Sequence, residues 1–248
     1  KGLVLEPFLA SVVFAGGILR RADSKTRAQH LPALIGGESL YTVAYAEPSS
    51  RFDLFHVETT AKKEGTSYVL NGKKLAVIAG NAADVLLVAA RTSGGTRDRN
   101  GITLFAVDAK QPGVQRTGYR TVDGLHAANV VLESVKVSAD DIVGPVDQGL
   151  QLLEPAADET IVGLGAEAVG VMQVLYESTV AYTKERKQFG VPISSFQVLQ
   201  HRMVEMYICC EQARSMAILA ASKVDTATDP AERQRAVSAA KVKIADAA

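Results

Sequence analysis

Side chains able to move protons or hold metals are scattered along this chain, and no group of them has the spacing of a site. His30, His56, His126 and His201 have no Cys, Asp or Glu at metal-ligand spacing. No Ser-His-Asp elbow and no Gly-x-x-x-x-Gly-Lys phosphate loop occurs. The four histidines therefore read as ordinary structural residues. Cys209 and Cys210 are the only cysteines. Neighbours on a helix point about 100° apart, so these two read as packed thiols, not as metal ligands or a disulfide framework. The carboxylates worth weighing are Asp158, Glu159 and Glu167. An acid in the first turn of a helix is favoured by the dipole, so capping competes with proton transfer as a role for Glu159. Glu167 sits among Gly163, Gly165, Ala166, Ala168 and Gly170 and reads as a buried, paired carboxylate. Each helical glycine costs about 0.5–1 kcal/mol. Close packing against other helices recovers that cost most simply; a flat ligand is the alternative.

Composition narrows the field. With 27 basic and 27 acidic residues the net charge is zero, which argues against a nucleic-acid-binding domain. A local basic pocket for a phosphorylated ligand remains open. No run of 18 apolar residues occurs, so no membrane span is expected. Glu6 and Pro7 interrupt the apolar start, which reads as core helix and not as a signal peptide. The cysteine usage points to a reducing, cytoplasmic setting.

The elements that must position any site change character twice. Residues 1–38 read as helical, with Leu3, Val4, Phe8, Leu9, Val12 and Val13 at helical spacing. A helix start is expected at Asp23-Ser24-Lys25 and a stop at Gly36-Gly37. Residues 39–140 read as a β-domain with strands at 41–46, 68–70, 73–78, 85–90, 102–107, 114–119 and 130–137. Asn71-Gly72 is the expected type I′ turn of a hairpin, because both central positions need positive φ. No long helix separates these runs, so an antiparallel barrel or sandwich is expected. Residues 141–248 read as helices: one to about Lys187 stopped by Gly190, a second capped by Ser194 or Ser195, and a third capped by Thr228 or Asp229 before Pro230. The fold class is α+β, and ordered residues are expected beyond both ends, or a partner that completes the packing.

Four motifs in this order resemble the acyl-CoA dehydrogenase family. Ala44-Tyr45-Ala46-Glu47-Pro48 followed by Asp53 resembles its strand ending in Thr-Glu-Pro. Tyr68 to Lys74 followed by Gly80 is similar to its hairpin ending in Trp-Ile-Thr-Asn-Gly. Gly101 to Gly113 resembles its Gly-Ile-x-x-Phe-x-Val-Asp-x-x-x-Pro-Gly segment, and Arg186 to Gly190 with Gln197 its Arg-x-x-Phe-Gly…Gln element. The resemblance covers nearly the whole chain. Around residues 46–54 and 91–95 it looks most like the small-subunit group associated with pimeloyl-CoA dehydrogenase.

The resemblance implies FAD as cofactor and α,β-dehydrogenation of an acyl-CoA, with hydride passing to flavin N5. It implies an electron-transfer flavoprotein as acceptor and a homo- or hetero-oligomer, dimer or tetramer. Arg186, Phe189 and Gln197 would reach the pyrophosphate and adenine end of FAD across a subunit interface. Backbone groups of Tyr45, Ala46, Val77 and Ile78 would bond the ring. The Gly-Ser of the family's signature turn reads Arg51-Phe52 here: either Arg51 holds a phosphate and Phe52 narrows the acyl pocket, or both are plain surface and core residues. Asp158 would contact the CoA part. His126 falls at a Gly-Leu-Arg turn near CoA. The family's Thr, Trp and Thr read Ala46, Ala76 and Ile78 here. The helix position that carries a catalytic Glu in some members falls on Thr160, with Glu159 one residue away. The alternative is a catalytically degenerate helper subunit of a hetero-oligomer.

Overall fold

The computed structural model describes residues 6–248, so the expectations for Leu3 and Val4 lie outside the described residues. Two compact units divide the chain at Ala157/Asp158.

In the first unit, wide helical turns over Leu9–Ala15 run into α1 (Gly16–Arg21) and α2 (Ser24–Ile35). Asp23 caps α2 as expected, its carboxylate accepting from the Thr26 amide at 3.0 Å. Gly37 ends it at φ +69°. The strands follow: β1 (Tyr41–Ala44), β2 (Thr60–Glu64), β3 (Ser67–Ile78), β4 (Val85–Arg91), β5 (Ile102–Asp108), β6 (Val114–Arg120), β7 (His126–Ser138) and β8 (Ile142–Val143). They form one sheet in the order β6-β7-β3-β2-β4-β5-β8, with β1 beside β4.

The sheet is mixed and not purely antiparallel. β1 runs parallel to β4, and a parallel bridge joins Thr60 to Arg91. A parallel pair needs a crossover, usually a helix; here the β2–β3 hairpin is part of the connection. β4 shows why the sheet holds two cores. Leu87 and Ala89 face one that includes Phe14, Ile18, Leu104 and Leu153, while Leu86, Val88 and Ala90 face another with Leu70, Phe105 and Val135. A period of two feeds both faces, so β4 reads as a continuous apolar run.

The expected hairpin at Asn71-Gly72 is not there. Both residues lie inside the twelve-residue β3, and the hairpin turn falls at Gly65-Thr66. Gly72 is required for a different reason: a Cβ there would come within 2.7 Å of the Thr59 Cα. Asn71 instead accepts from the Ser134 amide at 2.8 Å, where β7 bulges and Ser134 has φ +51°. β3 has its own register shift between Lys74 and Val77, with Ala76 at φ +51°.

A buried ion pair ties these segments together. Lys74 Nζ lies 2.6 Å from Glu47 Oε1, with side chains 0% and 2% exposed. The same carboxylate accepts from the Glu58 amide at 2.6 Å and the Thr59 amide at 3.0 Å. Burial alone would raise the Glu47 carboxyl; the Lys74 charge and the hydrogen bonds outweigh it and hold the group below its ordinary value. Burial pushes the Lys74 ammonium down, with Glu47 opposing.

The second unit holds the greater part of α3 (Leu150–Glu185), a small hairpin of β9 (Lys187–Gln188) and β10 (Val191–Pro192), α4 (Gln197–Thr226) and α5 (Pro230–Ala247). Asp229 caps α5 through the Ala231 amide at 2.9 Å. Ser194 and Ser195 form a short 3₁₀ turn instead of a cap, and α4 starts after Phe196 without a side-chain cap. The core contains Met172, Cys210, Ala213, Val237 and Ile244. Gly165 packs toward Ile244, whereas nothing lies near Gly170, so close packing accounts for only part of the glycine-rich run. An apolar cavity of about 300 Å³ opens between the helices, lined by residues including Ile161, Leu164, Gly165, Val237 and Ile244.

Removing one partner of a buried ion pair costs about 3–5 kcal/mol, because the other charge stays behind. Lys74→Met is expected to lose that much in urea unfolding, and Lys74→Met/Glu47→Gln to regain most of it. Acid sensitivity is the second check. The lowered Glu47 carboxyl stabilises the fold fully above its ordinary pKa of 4.5, and that contribution is lost as pH falls through the lowered folded value. The stability gap between the native chain and Glu47→Gln should therefore be flat near neutrality and close in acid.

Candidate active site

β1 ends by turning Tyr45 and Ala46 against β3. The Ala46 carbonyl accepts from the Leu75 amide at 2.8 Å, and the Tyr45 carbonyl from Lys74 Nζ at 3.4 Å. One turn of chain earlier, the Thr42 hydroxyl donates to the Ile78 carbonyl at 2.6 Å. These contacts bring Tyr45, Ala46, Val77 and Ile78 to one region of the sheet. The ladder then sorts them. Ala79 N–H donates to His126 O at 2.7 Å, so Ile78, opposite Ala127, occupies the non-hydrogen-bonded position and its N–H and C=O point away from β7. Val77 is directed at β7, and its side chain is 2% exposed in the core. Ala46 and Ile78 are half-buried and Ala76 is exposed. Of the two Ile78 backbone groups, the carbonyl is the one held by Thr42.

Tyr45 is fixed separately. Its ring meets Phe14 edge-on at 5.5 Å, and burial pushes its hydroxyl up. The following loop presents Arg51 at φ +50° and Phe52 at 98% exposure.

In the second unit, Phe189 and Gly190 form the two-residue turn between β9 and β10, at φ +54° and +80°. This is where the positive-φ pair of a hairpin turn occurs. A bulky residue with positive φ is an outlier, and such strain concentrates at ligand contacts. The Phe189 ring is 92% exposed and touches Phe196 edge-on at 6.2 Å. Arg186 and Gln197 are exposed on either side of this hairpin, and the Arg186 carbonyl accepts from the Ile193 amide at 2.8 Å. A cation, a ring and an amide are thereby held on one short scaffold.

Asp158 is buried in an ion pair with Arg233 Nε at 2.7 Å, which its sequence reading did not include. Glu159 lies in the third turn of α3, not the first, because the helix starts at Leu150; the dipole argument for capping lapses. Glu167 is exposed and not buried, because its side of the glycine-rich run faces away from the core. His30 is a buried structural residue, its Nδ1 3.1 Å from the Tyr41 hydroxyl, with burial lowering its pKa. His56 is buried, while His126 and His201 are exposed. Cys210 is buried and Cys209 half-buried; burial pushes the Cys210 thiol up. No cluster of three metal-ligating side chains occurs among the described residues. Nor is any of the described helices long and apolar enough to cross a membrane.

Residues 42–135 match the family model for the acyl-CoA dehydrogenase middle domain, and residues 147–248 match its C-terminal domain. The chain belongs to the acyl-CoA dehydrogenase family. It is 34% identical over 204 residues to a 3-(aryl)acrylate reductase of Clostridium sporogenes, covering 80% of this chain and 53% of that protein. A solved FAD-dependent dehydrogenase superposes with a TM-score of 0.87 at 29% identity, over 96% of this chain and 64% of that one. Butyryl-CoA dehydrogenase of Megasphaera elsdenii superposes at 0.84 and 25%, over 96% and 65%. The chain spans about half the length of the curated relatives it matches.

The Phe189 turn has a direct test. Phe189→Gly relieves the positive-φ strain but removes the ring, so thermal unfolding should stay within about 1 kcal/mol of the native chain or improve. FAD retention by the full-length protein should fall at the same time.

Proposed function

We propose that this protein binds FAD and forms the α,β double bond of an acyl-CoA thioester, acting as a flavin-dependent acyl-CoA dehydrogenase with hydride transfer to flavin N5. One observation carries the reading: half-buried Ala46 and Ile78 are brought together where the end of β1 meets the end of β3. Family membership and the structural likeness to an FAD-dependent dehydrogenase support it.

The flavin, when bound, supplies the hydride acceptor. The chain's own residues bind and orient. Backbone N–H groups of Ala46 and Ile78 would donate to the ring edge, their carbonyls being held by Leu75 and Thr42. Arg186 makes a charge-assisted bond to the pyrophosphate, Phe189 gives a flat apolar contact, and Gln197 pairs with a polar edge, reaching a neighbouring copy or paralogue. Arg51 and Phe52, exposed on the loop after β1, stand as contacts for the CoA phosphate and acyl group. Asp158 supports the CoA side through a position fixed by Arg233. We further propose an electron-transfer flavoprotein as acceptor, a dimeric or tetrameric assembly and a cytoplasmic setting.

A second reading, a helper subunit of a hetero-oligomer, is favoured by the aliphatic residues Ala46, Ala76 and Ile78, which lack the hydroxyls and indole of the family pattern. Purified full-length protein separates the two. The enzyme is expected to be yellow and to bleach when an acyl-CoA is added without oxygen. A protein that stays oxidised with a panel of acyl-CoAs until a partner is added is the helper. Glu159→Gln is expected to leave bleaching within about twofold of the native rate; a loss of about 100-fold or more would make Glu159 the base.

A further inference from the structure

We propose that Lys74 is a positioning residue for the flavin, acting through the Tyr45–Ala46 peptide to strengthen the Ala46 N–H as a donor toward the reduced ring. This rests on the flavin reading above. The Lys74 side chain is fully buried, and its ammonium has two named partners: Glu47 Oε1 at 2.6 Å and the Tyr45 carbonyl at 3.4 Å. That carbonyl and the Ala46 N–H belong to the same planar peptide and point in opposite directions. A cation on the oxygen draws electrons from the nitrogen and makes its hydrogen a better donor, as in any hydrogen-bonded chain in a low-dielectric interior. Ala46 has no hydroxyl to offer, so its backbone is what it can present to a ring.

The direction of the effect follows from charge. A reduced flavin carries negative charge on its pyrimidine end, so a donor backed by a fixed cation stabilises the reduced form more than the oxidised form. Glu47 keeps the ammonium charged and in place; its Oε2 accepts from the Glu58 amide, and the Thr59 amide shares Oε1 with the ammonium. If the pair served stability alone, a neutral pair of similar shape would serve as well, and removing it would leave the flavin's potential where it was.

The test is a potentiometric titration of flavin in the full-length protein. Native protein that retains no FAD after purification and cannot be loaded with it overturns the flavin reading and this proposal together. With flavin bound, Lys74→Met/Glu47→Gln is expected to shift the reduction equilibrium about tenfold toward oxidised flavin, which is about 30 mV for a two-electron couple. A shift below twofold, with flavin still bound, overturns the role of Lys74 and leaves the flavin reading standing. Glu47→Gln alone removes the group that keeps the ammonium charged, so the buried lysine goes over to its neutral amine and the equilibrium should shift toward oxidised flavin, as in the double variant. This variant decides the matter if the double variant does not fold, since an unchanged or raised potential in it also overturns the proposal.

Discussion

The first unit is organised around one buried charge pair. Two ionised groups taken out of water must be paired and hydrogen-bonded, or the fold loses several kcal/mol. Lys74 and Glu47 meet that demand only if the end of β1, the approach to β2 and the middle of β3 come to the same point, since the Glu47 carboxylate also takes the Glu58 and Thr59 amides. Thr59 must then pass close to β3, and that is why position 72 has no side chain. The pair thus sets the path of the backbone that presents Ala46.

A second buried cation plays a similar part nearby. The Arg91 guanidinium donates to the carbonyls of Phe55, Thr96, Asp98 and Asn100. Four acceptors from two loops converge on one planar group, which suits a fork of fixed geometry better than a lysine would. Burial lowers its pKa, with Asp98, Glu47 and Asp147 opposing. Between them, Lys74 and Arg91 hold irregular segments that have few ladder bonds of their own. Ala46 and Ile78 can then belong to a surface with a defined shape.

The second unit works differently. Its helices meet through small residues and leave an apolar cavity, while its candidate ligand contacts stand on a two-residue turn with positive φ at a phenylalanine. That turn spends conformational energy to hold an exposed ring. Asp158, by contrast, is held by Arg233, so its carboxylate is oriented by an internal partner.

Local chemistry in the sequence was enough to place a helix start at Asp23-Ser24-Lys25, a cap at Thr228 or Asp229, the apolar runs of β4 and β5, and four motifs in family order. Each depends on residues close in the chain or on a period of two. Asn71-Gly72 looked like a turn because its local preference is for one, but Thr59 and Ser134, distant in sequence, claimed both residues for a bulged strand. Ala76 has positive φ with no glycine to announce it. Lys74 and Glu47 were visible only as letters within motifs; their burial, and the touch on the Tyr45 carbonyl, depend on residues 27 and 29 positions apart meeting in space. Tertiary structure decides such cases because the desolvation of a charge and the approach of one backbone to another are set by what packs around them, and no local window contains that.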